Sequence, residues 1–143
     1  MDSFLSAADI SASGMAAERL RMQIIANNVA NANTTNTPQG GPYRRLNITF
    51  APILNNKLSR RGGGGASGVE VVGVEPDMGE LPKIFDEHHP DADEQGYVHL
   101  PNVSIAREMV DMITSTRSYE ANLQSLKNLR SMVEQSLALL RST

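Results

Sequence analysis

The sequence predicts a mainly α fold: two long terminal helices as an antiparallel coiled coil, with a small β-rich insert between them. Three observations carry that expectation. Long helix-forming stretches occupy both ends, and apart from Gly14 the Pro and Gly residues fall in the middle. A heptad of apolar residues runs through the C-terminal stretch. The apolar content is Ala, Val, Ile, Leu and Met, with three Tyr, three Phe and no Trp, which is little aromatic mass for a 143-residue globular core.

Residues 3–33 read as the first helix, with Asp2 or Ser6 as its cap. At ~100° per residue, Met15, Met22, Ile25 and Val29 share one face. Ile10, Ala17, Leu20 and Ile24 share a second, roughly opposite. A helix that is apolar on two faces needs cover from two sides, and a partner chain is the expected second wall. The helix closes on NNVANANTTNT, Asn27 to Thr37, in which five of eleven residues are Asn. Asn is a poor interior helix residue. Its amide donates and accepts without net charge, which suits a crowded junction. Asn27, Asn28, Asn31 and Asn33 are therefore expected to bond their own helix end and a neighbouring subunit.

Residues 38–101 form the insert. YRRLNITF alternates Leu46, Ile48 and Phe50 with polar residues, as a strand with one buried face does. GVEVVGVE (68–75) reads as a second strand and GYVHL (96–100) as a third, with the Gly-rich run RRGGGGASG (60–68) as a flexible connection. The insert is placed at the far end of the helical hairpin. Residues 102–141 form the last helix, capped by Asn102 or Ser104. Its heptad puts Met109, Thr116, Leu123, Arg130 and Leu137 at a, and Met112, Tyr119, Leu126, Val133 and Leu140 at d. Three segments follow: a helical 1–37, an insert 38–101 and a helical 102–143.

The formal charge is only −3, without the basic face that nucleic acid requires. Cysteine is absent, which excludes disulfides and thiol catalysis. No apolar run approaches the ~20 residues of a membrane span, and MDSFLSAADIS has neither the basic nor the apolar region of a secretory leader. HHPDADEQG holds His88, His89, Asp91, Asp93 and Glu94, and partly mimics a calcium loop. Asn102 stands where that loop needs a bidentate Glu, so an acidic turn is the expectation and no metal is assigned. The Gly-rich run lacks the Lys-Ser/Thr of a phosphate loop, and no nucleophile elbow occurs. No catalytic residue, metal or cofactor is expected.

ISASGMAAERLRMQIIANNVANANTT (10–35) resembles the N-terminal signature of the bacterial flagellar axial proteins, the rod and hook family, with Val29 in the usual Ile place. GGPYRR (40–45) and HPDADEQGYVHLPNVSIAREMVDMITSTRSYEAN (89–122) narrow the resemblance to the proximal-rod members. The insert departs from the family pattern at RRGGGGASG and IFDEHHP. The resemblance implies a structural subunit of the basal-body rod, in the periplasm, exported without a cleaved signal through the flagellar type III apparatus. It implies terminal helices that self-assemble around an export channel, in a shaft that transmits motor torque. The implied partners are copies of itself, other proximal-rod subunits, the adaptor at the inner-membrane ring and the distal rod. It also marks Asn27, Asn28, Asn31, Asn33, Tyr43, Arg44, Arg117, Glu120 and Asn122 as motif contacts. Arg117 and Glu120, three apart, are expected to pair. Without the resemblance, a coiled-coil adaptor or secretion chaperone would explain the helices, and a small metal enzyme would rest on His88, His89 and Asp91.

Overall fold

The structure is a computed structural model that describes residues 2–54 and 66–141. In chain order the elements are α1 (Asp2–Ala30), β1 (Leu46–Leu54), β2 (Ala66–Pro76), β3 (Lys83–Phe85), β4 (Tyr97–His99) and α2 (Ile105–Arg141). The mainly α architecture with a small antiparallel β insert matches the expectation. The boundaries differ in instructive ways. α1 stops at Ala30, where Asn31 to Asn33 form a turn, and Ser6 lies inside it rather than at its cap. β1 starts at Leu46, later than expected, because Tyr43, Arg44 and Arg45 are engaged in the cluster described below. β3 was not legible, being three exposed residues. Most of the Gly-rich run 60–68 lies outside the described residues, which resume at Ala66.

The helices run antiparallel. Asn28 meets Glu108, Met22 meets Thr116, and Gly14 meets Asn122. A Cβ on Gly14 would stand 2.9 Å from Asn122 Nδ2, so the glycine marks a close approach of the two helices.

The first correction concerns the insert. β1 and β2 form an antiparallel ribbon with a bulge between Thr49 and Phe50, and this ribbon folds back along α1. Ser13 Oγ accepts from the Val69 amide at 3.1 Å, and the Arg21 guanidinium sits 4.4 Å from the centre of the Phe50 ring. Ala17, Leu20 and Ile24 share the Ser13 flank by helical period. The chain's own ribbon therefore supplies the second wall expected of a partner chain. Only β3 and β4, paired Lys83 to His99 and Phe85 to Tyr97, stay near the far end.

The second correction concerns the α2 seam. Glu108 and Ser115 are buried, and Asp111, Met112, Ser118, Tyr119, Asn122, Leu123, Leu126 and Leu129 are half-buried; Glu108, Met112, Ser115, Tyr119, Asn122, Leu126 and Leu129 trace a 4,3 line through them. Met112, Tyr119 and Leu126 of the d series are in that seam, with Glu108, Ser115 and Asn122, the residues just before the a positions, between them. Met109 is 58% exposed, Thr116 is exposed and Leu123 is half-buried. The helix is thus turned by about 50° from the apolar seam, at ~100° per residue. No described helix is long and apolar enough to cross a membrane.

Candidate functional site: a buried polar cluster at the helix junction

Asn28 is placed by the last turn of α1 and is 1% exposed. Its amide makes every bond available to it. Nδ2 donates to the Leu46 carbonyl and to Glu108 Oε2, each at 3.0 Å. Oδ1 accepts from the Leu46 amide and from the Tyr43 hydroxyl, each at 2.9 Å. One side chain therefore ties α1 to the start of β1, to the loop before it and to α2. The expected reach of Asn28 to a neighbouring subunit gives way here, because its two donors and two acceptor positions are filled within its own chain.

Glu108 lies in the first turn of α2, where a carboxylate faces the positive end of the helix. It is fully buried. Oε2 takes the Asn28 bond, and Oε1 accepts from Arg45 Nε at 2.5 Å. Arg45 also donates to Asn47 Oδ1 and reaches Asp111 Oδ2 at 3.4 Å. A buried carboxylate without partners is expensive; with both oxygens bonded it becomes a directional lock. Burial, then the nearby Glu108 charge, push the Tyr43 hydroxyl above its ordinary pKa of 10.0, because both disfavour a phenolate.

A second layer holds the loop. Asn102 Oδ1 accepts from the Arg45 amide at 2.8 Å, and its Nδ2 donates to the Asp77 carbonyl at 3.1 Å. Asn102 thus bridges the insert instead of capping α2. Arg44 donates to the carbonyls of Asp77 and Gly79.

The other motif residues divide by role. Asn31 donates to the carbonyl and the side chain of Asn27, closing the helix end locally, and Asn33 is exposed. Thr35 and Asn36 donate to the two oxygens of Asp91, at 2.7 and 3.1 Å. Those bonds, Thr35 first, draw the Asp91 carboxyl below its ordinary pKa. Asp93 is drawn down as well, first by the Tyr97 amide. His89 Nδ1 accepts from the Asp91 amide, and His88 is exposed. These groups organise the turn that was expected there. Among the described residues no three His, Cys, Asp or Glu converge on a metal position. Arg117 and Glu120 are both exposed and form no ion pair with one another, which corrects the pairing expected of them.

Of the residues expected to pack, Ile25 is buried, while Met15, Leu20, Met22, Ile24 and Val29 are half-buried. Met112, Tyr119, Leu123 and Leu126 are half-buried; Met109, Val133, Leu137 and Leu140 are exposed in the single chain. Sequence reasoning missed Arg45, Glu108 and Asn102 as a set. The signal available was the Arg44-Arg45 doublet beside an acidic residue at the start of a helix.

The cluster joins both ends of the chain to the insert, and both ends match family models. The description "Flagella basal body rod protein" matches residues 9–36, and "Flagellar basal body rod FlgEFG protein C-terminal" matches 94–139. Among curated relatives, the flagellar basal-body rod protein FlgC of Borreliella burgdorferi is 42% identical, over 95% of this chain and 97% of its own length. The FlgC proteins of Bacillus subtilis and Salmonella typhimurium are 37% and 34% identical, covering 90% and 92% of this chain and 93% of each relative. With both ends matched and relatives aligned almost from end to end, this chain belongs to the FlgC family of flagellar basal-body rod proteins, structural subunits of the rod and not enzymes.

Proposed function

We propose that this chain assembles through its terminal segments, 1–37 and 102–143, into the wall of the proximal rod, around an export channel and within the periplasm. The insert 38–101 braces the outside of that wall. The observation that carries this reading is the row of large apolar side chains left exposed on α2: Ile105, Met109, Ile113, Val133 and Leu137. A stripe of this length on one helix marks a protein interaction surface. Its occupants are neighbouring terminal helices, from copies of this chain and from other proximal-rod subunits. The rod adaptor at the inner-membrane ring and the distal-rod protein are the contacts at the two ends. Export proceeds through the flagellar type III apparatus without a cleaved leader, and the finished shaft passes motor torque outward.

Complementation tests it. A motile strain lacking its own rod subunit of this family is given the chain, and basal bodies are purified. The reading requires the chain in the rod fraction, with its N-terminal residues intact on sequencing. A chain missing from basal bodies, and a stable folded dimer in dilute solution, would point to a coiled-coil adaptor or chaperone instead.

A further inference from the structure

We infer that the Asn28–Glu108–Arg45 cluster is a rotational stop: it holds α2 turned away from its own best apolar seam, and so keeps Met109 and Ile113 facing outward. Two seams compete on α2. The apolar one would bury Met109, Met112, Thr116, Tyr119, Leu123 and Leu126. The observed one buries Glu108 and Ser115 in place of the exposed Met109 and Thr116, with Met112, Tyr119, Asn122, Leu123 and Leu126 half-buried. It accepts Ser115 at 1% exposure, with no hydrogen-bond partner for its hydroxyl among the described residues. Burying an unbonded hydroxyl is unfavourable, and so is leaving Met109 in water. Packing alone would roll the helix the other way by about 50°. The opposing force is local and directional. Glu108 meets Asn28 and Arg45 only when it points at α1, and Asn28 is itself pinned by both backbone groups of Leu46. A single polar residue at a seam position is known to set helix register at some cost in stability.

The consequence for assembly rests on the reading given above. Rolled onto its apolar seam, α2 would cover Met109 within the monomer and would lose part of the face offered to neighbours. The stop thus trades a better monomer core for a surface ready to dock.

The chain contains no cysteine, so an introduced one is its sole thiol. Met109→Cys and Ser115→Cys are made separately and their thiol-labelling rates measured. In the parent background Met109→Cys labels fast and Ser115→Cys slowly. Adding Glu108→Ala removes the stop: labelling at 109 slows several-fold, labelling at 115 speeds up, and helicity by circular dichroism stays near the parent value. Glu108→Gln, whose amide oxygen still accepts from Asn28 Nδ2, leaves the parent pattern. Ser115→Leu added to Glu108→Ala makes the observed seam apolar and restores fast labelling at 109. Unchanged rates in Glu108→Ala would overturn the inference. So would loss of helicity with fast labelling at both sites, since the cluster would then be a simple stabiliser. If the rates shift as expected but Glu108→Ala still builds rods, the stop stands and the role of the outward stripe in assembly fails.

Discussion

Asn28 shows how one neutral side chain can organise a junction of three segments. Its four bonds go to both backbone groups of Leu46, the Tyr43 hydroxyl and Glu108, and each buried polar group left unpaired costs ~1–3 kcal/mol. Asn28→Ala is therefore expected to destabilise the fold by roughly 3 kcal/mol or more, read as a lower urea midpoint. Asn28→Asp should do no better, because a carboxylate would stand beside Glu108. Tyr43 supplies a pH test. Its folded pKa lies above the unfolded value near 10, so the neutral phenol is the form that the fold favours. The contribution is complete below pH ~10 and fades as pH rises through the folded pKa. Phenolate absorbance should show a late-titrating component, and Tyr43→Phe should remove it.

Among the elements, α1 is enclosed by α2 on one flank and by the β1–β2 ribbon on the other, and two glycines make these approaches. At Gly14 a methyl would press on the amide end of Asn122, which can move aside. Gly14→Ala also gains ~1 kcal/mol of helix propensity, so the net change should be small. Gly14→Leu has no such escape and should separate the helices. Gly68 is different. Its φ is +134°, and a Cβ there would lie 2.4 Å from Ser13 Oγ. Gly68→Ala should cost about 1–3 kcal/mol and loosen the ribbon from α1. Faster amide exchange at Val69, whose N–H bonds Ser13, with the Asn28 cluster still protected, is the expected signature.

Across the whole molecule the core is thin. The accessible surface is 10434 Å², against about 7200 Å² for a compact chain of this size. Ala17, Ile25, Val98 and Pro101 are the apolar side chains buried among the described residues. Beyond Leu129 every position of α2 with a described side chain is exposed. Amide exchange should therefore be slowest around Ala17–Asn28 and Glu108–Asn122, and fast over 131–141 in dilute protein. Uniformly strong protection along α2 would contradict this. Glu120 separates the chain from its assembly. It is exposed and makes no ion pair among the described residues, so Glu120→Gln should leave the urea midpoint of the free chain unchanged. A motility defect in that variant would then report a contact made only between subunits.

The helices were legible because the 3.6-residue period and the placement of Pro and Gly are local properties, readable from neighbours in sequence. The two apolar faces of α1 were legible for the same reason, as were the turn at Asp91 and Asp93 and the family likeness of both ends. Tertiary structure decided what covers those faces. A ribbon of 46–54 and 66–76 folds back to reach Ser13 and Arg21, and nothing local in 38–101 encodes that direction. It also decided the rotation of α2. Hydrophobic pattern alone ranks Met109 inside and Glu108 outside; the order reverses because Glu108 finds Asn28 eighty residues away and Arg45 sixty-three away. A long-range hydrogen bond to a buried charge outweighs one methionine's transfer energy. That comparison exists only once the chain has folded, and so no reading of α2 by itself could make it.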